Sequence, residues 1–101
     1  MKGIVWGKTF ASAVDKLDQI AIQYEQLHIN PIRITKSRTG TEYIITYENG
    51  DYWRACCVNT SSRGYKSNIS YIDMNIPNEI IETIILPCTI SPPYQGIIYY
   101  Q

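Results

Sequence analysis

The 101 residues hold one histidine, one phenylalanine and three cysteines, and each scarcity removes a class of chemistry. His28 has no serine or cysteine partner to make a nucleophile-and-base pair, and no two carboxylates stand out for acid–base work. The cysteines, at 56, 57 and 88, lack metal-ligand spacing; an odd count without a secretory segment reads as reduced, intracellular thiols. Nine basic residues against nine acidic ones leave no global field to draw the chain to nucleic acid or membrane, so any anion binding has to come from local arginines. No apolar run approaches the roughly 20 residues of a membrane span. The length suits a single domain over residues 1–101, with a modest core. A binding protein is expected rather than an enzyme, without cofactor or metal.

Against these shortages stand nine tyrosines. Tyrosine offers broad contact area and a polar tip, which suits interfaces, ring-stacking pockets and half-buried strand positions alike. Several of them fall in the stretch Glu42–Val58, where two β-branched and aromatic runs flank Asn49-Gly50. That dipeptide predicts a two-residue type I′ hairpin. Its register would set Glu48 opposite Asp51, Tyr47 opposite Tyr52, Ile45 opposite Arg54 and Tyr43 opposite Cys56. Tyr43, Ile45, Tyr47, Tyr52, Arg54 and Cys56 would then share one face, and Ile44, Thr46, Trp53, Ala55 and Cys57 the other. Both faces carry large apolar groups, which predicts a central hairpin covered on both sides.

Upstream, residues 1–8 read as a short apolar start. Gly7-Lys8-Thr9 has the end of a phosphate loop, but only Ile4, Val5 and Trp6 separate Gly3 from Gly7 where the motif needs four residues. From Thr9 to about His28, Phe10, Ala13, Val14, Leu17, Ile20, Ala21, Tyr24 and Leu27 follow helical spacing, with Thr9 or Ser12 as cap. His28 sits where a cation suits the helix dipole, and Asn30-Pro31 ends the helix. Residues 32–36 alternate as a strand and residues 37–41 turn into the hairpin. A polar loop spans 59–66, a strand 68–73, and a short helix Asn78–Leu86 is closed by Pro87. Pro92-Pro93 spaces off a last strand at 96–100, added to its own sheet or to a neighbour's. The predicted class is α+β, a long N-terminal amphipathic helix packed on an antiparallel sheet of three to five strands, with a second short helix.

The candidate binding residues come from local chemistry. In the 61–66 loop, Gly64 allows backbone amides to point at an anion, Arg63 can fork onto phosphate oxygens, Lys66 adds charge and Tyr65 can stack on a base. Arg38 sits in a second loop with the same ingredients. Arg54 lies mid-strand among tyrosines, where a charge has to be paired, stacked or presented to a ligand. Tyr43 and Tyr47 complete the stacking candidates, with Trp53 beside them. Asp73 ends a strand where a metal-binding carboxylate can sit, although Asn75 and Asn78, not a second acid, follow it.

Two family resemblances meet at these residues. Arg38-Thr-Gly-Thr-Glu-Tyr-Ile, Tyr47-Glu-Asn-Gly, Ser62-Arg-Gly-Tyr and Ile69-Ser-Tyr-Ile-Asp73 together resemble the core of phage terminase large-subunit ATPases. That family runs strand, Asn-Gly turn, strand, Arg-Gly loop, and a strand ending in an acidic pair. Here the pair is Asp73-Met74 and the phosphate loop is a residue short, which implies an ATPase fold that has lost hydrolysis. In size, layout and arginine/aromatic inventory the chain also resembles the Thoeris anti-defence protein one family. That resemblance implies a helical N-terminal part followed by an antiparallel sheet, in a phage protein acting in the host cytoplasm. It further implies a homo-oligomer with shared pockets that sequesters a cyclic ADP-ribose isomer, or another cyclic nucleotide immune signal, without cleaving it. The other expectation for such a chain is direct contact with a host defence enzyme.

Overall fold

Residues 2–7, read from sequence as a mere apolar start, form the strand around which the sheet is laid. The computed structural model describes residues 1–37, 42–58, 65–90 and 96–101. Strand β1 (Lys2–Gly7) is followed by α1 (Phe10–Gln26), β2 (Pro31–Lys36), β3 (Tyr43–Tyr47), β4 (Tyr52–Cys57) and β5 (Ile69–Asp73). A second helical stretch then comprises α2 (Asn78–Ile80), a π turn (Ile81–Ile85) and α3 (Leu86–Cys88), before β6 (Ile97–Tyr100). The strands make one six-stranded sheet in the order β2-β3-β4-β1-β5-β6. Strands β4, β1, β5 and β6 run parallel, and only β2, β3 and β4 pair antiparallel.

This overturns the expected long N-terminal helix on an antiparallel sheet. The chain opens on a strand, the sheet is mixed, and helices lie on both of its faces. The physical reason lies in β1 itself. Gly3 to Gly7 are all buried, so the strand is apolar towards both faces and shows no period-two alternation.

On one face α1 lays Ala13, Leu17 and Ile20 against Val5, Tyr43, Ile45, Tyr47, Trp53 and Ala55. On the other, Ile76, Ile81, Ile84, Ile85 and Cys88 pack on Ile4, Trp6, Cys56 and Ile72. Thr9 caps α1, its hydroxyl accepting from the Ser12 amide at 3.2 Å. At the other end His28 takes φ 59°. Its amide donates to Glu25 O and the Ile29 amide to Tyr24 O, both at 3.0 Å, closing a Schellman motif.

The second helical stretch does not stop at Pro87. Leu86 N–H reaches back five residues to Ile81 O, and this π turn restarts the ladder so that Pro87 falls in the first turn of α3, where its missing donor is not needed.

The hairpin forms, but with a different turn. Gly50 N–H donates to Tyr47 O and Tyr47 N–H to Asp51 O, and Gly50 has φ +92°, while Asn49 is not in the positive-φ region. This is a three-residue loop with the glycine in the bulge position. The pairing is Thr46 with Tyr52, Ile45 with Trp53 and Ile44 with Arg54, one residue from the predicted register. A one-residue slip exchanges a strand's faces. Tyr43, Ile45 and Tyr47 therefore join Trp53 and Ala55 under α1, and Tyr52 and Arg54 stand with Ile44 and Thr46 on the other side. Among the described residues no element packs over that second face at β2 and β3, so the hairpin is not covered on both sides.

Candidate functional site

Two places are candidates for a ligand: the C-terminal ends of the parallel strands, and the sheet face away from α1. The first is where open parallel sheets place ligands. Here β5 ends in Asp73, 3% exposed, next to the turn from β1 into α1. Asp73 Oδ2 accepts from the Lys8 amide at 3.1 Å and from Ser12 Oγ at 2.8 Å. Oδ1 accepts from the Asn75 amide at 2.9 Å and from Asn75 Nδ2 at 3.1 Å. Burial works to raise this carboxyl, but the Asn75 and Lys8 amides and the side-chain donors outweigh it and hold it below the usual carboxylate range. Beside it the Tyr100 hydroxyl donates to Trp6 O at 3.0 Å and lies 3.4 Å from Ser12 Oγ.

A nucleoside triphosphate with a divalent cation does not fit this arrangement. A carboxylate has about four lone-pair directions, and all four hydrogen bonds come from the chain itself. Met74, exposed, stands where a second acid would be. The Lys8 amide, which a phosphate loop would turn towards phosphate, is spent on Asp73. Gly7 is needed for a different reason: a Cβ there would meet the Thr9 carbonyl and lie 2.7 Å from Ala13 N, so the glycine lets α1 start against the strand end. Among the described residues there is no group of three His, Cys, Asp or Glu able to hold a metal ion.

The second place holds Arg54. Its Nη1 donates to the Tyr65 hydroxyl at 3.1 Å and its Nε to the Tyr52 hydroxyl at 3.3 Å, with the guanidinium 4.6 Å from the Tyr65 ring centre. Of the sequence candidates, the structure brings Arg54 and Tyr65 together. Lys66 is exposed, its Nζ donating to Pro87 O at 3.4 Å. Tyr43 and Tyr47 are buried on the opposite face: Tyr43 donates to Asp18 at 2.7 Å, and Tyr47 stacks on Tyr24 with ring centres 4.0 Å apart. Arg38, Arg63 and Gly64 lie outside the described residues. A concavity of about 250 Å³ opens on Arg54's face, lined by Arg33, Thr35, Glu42, Ile44, Thr46 and Tyr52. The sequence reading singled out neither Arg33 nor Tyr52 as a site residue. The alternation of residues 32–36 was the signal present, but the face it exposes depends on register.

The architecture is thus a mixed sheet with parallel centre and helices on both faces, its buried acid at a parallel strand's C-terminal end. It is similar to a part of a phage large terminase. The large terminase of a thermophilic bacteriophage matches over 97% of this chain and 25% of its own, with TM-score 0.60 and 14% identity. Another crystal form of the same protein, in complex with ADP, matches over 97% and 24% with TM-score 0.59 and 13% identity. At these identities the likeness shows the fold alone, and the chain spans about a quarter of the length of that terminase. No protein-family model matches the sequence, and no curated protein matches it. The terminase resemblance read from short motifs is therefore carried by the fold. The layout implied by the Thoeris resemblance, a helical start followed by an antiparallel sheet, is not the one adopted.

Proposed function

We propose that the chain is a binding module built on a terminase-like ATPase fold in which ATP hydrolysis has been lost. The observation that carries this reading is Asp73. The acid at the end of β5 is saturated by Lys8, Ser12 and Asn75, so the carboxylate that would manage a metal-bound nucleotide instead ties α1 and the β5–α2 turn to the sheet. The short loop around Gly7 and the Met74 neighbour point the same way. In a phosphate-release assay with magnesium and ATP, the purified chain is expected to show no turnover above the buffer blank. Turnover that disappears in Asp73→Asn would overturn the proposal.

A second reading is favoured by the Arg54–Tyr65 pair, since a guanidinium laid on a ring suits phosphate and base together. It is a phage-encoded, oligomeric trap for a cyclic nucleotide signal such as a cyclic ADP-ribose isomer, released uncleaved. A ligand that binds only the folded chain raises its melting temperature. A shift with one cyclic species, recovered intact after heating, would support this reading; no shift with cyclic ADP-ribose isomers or cyclic dinucleotides would remove it.

A further inference from the structure

On the face away from α1, Arg33, Thr46, Tyr52 and Lys2 stand at paired positions, one on each of β2, β3, β4 and β1. Three strand spacings make this row about 14 Å long. A cation ends it on each side and a half-buried tyrosine ring lies between them, with Lys2 Nζ 5.6 Å from that ring's centre. The neighbouring row carries Thr35, Ile44 and Arg54. A β-bulge puts Arg33 there. Pro31 pairs with Tyr47 and Arg33 with Thr46, so one extra residue, Ile32, is absorbed between them. Without it Arg33 would fall on the α1 side, and re-aiming a side chain is a known use of bulges.

Charge is segregated even though the total is zero. Lys2, Arg33 and Arg54 collect on this face with Glu42 as the one acid lining the concavity, while α1 bears Asp15, Asp18 and Glu25 against Lys16, and Lys36 lies over Tyr43 on the α1 side. Among the described residues the only ion pair joins the N-terminal amine to Asp51 at 3.5 Å, so none of these three cations has an acid partner. Helices occupy both faces of the sheet at β1, but over β2 and β3 this face is, among the described residues, open, shallow and wider than one small ligand needs.

We propose that this face binds single-stranded nucleic acid laid across the strands. One base stacks on Tyr52, displacing the flexible Lys2 side chain to an adjoining phosphate. Arg33 takes a phosphate at the far end of the row, and Arg54, held by Tyr52 and Tyr65, supports the middle. Cationic grooves with ring platforms are the general solution for single strands, and each stacked base contributes about 1–3 kcal/mol. The inference stands on the open face alone and does not depend on what became of the Asp73 end.

The test is fluorescence anisotropy of a short labelled oligothymidine, titrated with the intact chain at several salt concentrations. Binding should weaken with salt, and Arg33→Ala should lower the slope of log K against log salt by about 0.7, one phosphate contact. Tyr52→Ala should weaken binding about tenfold, Tyr52→Phe should not, and Lys16→Ala, on the α1 side, should leave it unchanged. Circular dichroism establishes folding of each variant, and Thr46→Glu, which places an acid within the row at an accessible site, should abolish binding if Tyr52→Ala does not fold. Failure of the parent chain to bind would overturn the proposal. So would equal competition by a duplex or by a cyclic mononucleotide, or loss of binding in Lys16→Ala instead of Arg33→Ala.

Discussion

Replacing Asp73 by Asn separates a structural acid from one held ready for a ligand. The side chain is buried and accepts four hydrogen bonds, two at each oxygen. Asparagine keeps one acceptor oxygen and presents an amide in place of the other. If the oxygen faces Asn75, the new amide meets the Lys8 N–H donor to donor; the Ser12 hydroxyl can rotate and accept, but the Lys8 amide loses its acceptor. The start of α1 also loses its negative charge, since its own first turn contains no acid. A hydrogen bond to a charged group contributes about 1.5–3 kcal/mol net, and a charge at a helix terminus roughly 0.3–1 kcal/mol. The expected loss is about 2–4 kcal/mol, a large share of the roughly 5–15 kcal/mol that holds a domain together. Near this length it lowers Tm by about 8–16 °C, taking ~4 °C per kcal/mol. Urea unfolding followed by tryptophan fluorescence measures it directly. Because the folded carboxyl titrates below its unfolded value of about 3.9, its contribution is present above that value and is lost as pH falls through the lower folded one. Asp73→Asn should flatten the stability curve in that acid window and leave its shape at neutral pH unchanged. Functional acids are commonly a cost to stability, and replacing them is then neutral or stabilising. A variant within about 0.5 kcal/mol of the parent, the range of ordinary surface changes, would refute the structural role and reopen a ligand site at this end.

Three further perturbations bear on the fold. His28→Gly should stabilise by about 1 kcal/mol in the same urea assay, because a non-glycine residue at φ 59° is strained and the Schellman closure is otherwise complete; a loss would mean that the imidazole makes a contact of its own. Gly3→Ala should destabilise by about 1–3 kcal/mol, since a Cβ there would press into the six-membered ring of the buried Trp53; an unchanged midpoint would show that Trp53 can move. Tyr24 accepts from Trp53 Nε1 at 2.9 Å and donates to Asp51 at 2.7 Å, and burial, with that bond to Asp51, pushes its hydroxyl up to about 12. The neutral hydroxyl therefore stabilises the fold below the ordinary tyrosine value of about 10, an effect lost as pH rises towards 12. Tyr24→Phe should cost about 1–2 kcal/mol at neutral pH by orphaning the indole N–H and should reduce the alkaline loss seen by fluorescence.

Much of the local structure was legible in the residues. The α1 stripe, its Thr9 cap, the strands expected at 32–36 and 68–73, the two arms of the hairpin and the terminal strand follow from periodicity and turn chemistry, whereas α1 ends at Gln26, turned by the left-handed His28 and not by Asn30-Pro31. The terminase likeness was readable from short motifs around Tyr47-Glu-Asn-Gly and Asp73, and the fold carries it. The site was less legible. Arg54 and Tyr65 do meet, but Tyr43 and Tyr47 go under α1 because Gly50, not the Asn49-Gly50 pair, takes the positive φ, and the register slips by one. Sequence patterns specify alternation and leave its phase to the turn.

The helix from Thr9, its cap and the strands that follow it were determined by the sequence itself, because each rests on neighbours within a few residues; the strand that opens the chain was not. Tertiary structure alone decided the rest. Residues 2–7 became the central strand because parallel pairing with β4 and β5 buries both their faces; their unbroken apolar run is compatible with that, but which strands flank it is not local information. Asp73 became a structural acid because the sheet carries it to the amide of Lys8, 65 positions away in the chain. A chain with no net charge acquired a basic face because one bulged residue, Ile32, turned Arg33 to the side of Tyr52 and Lys2.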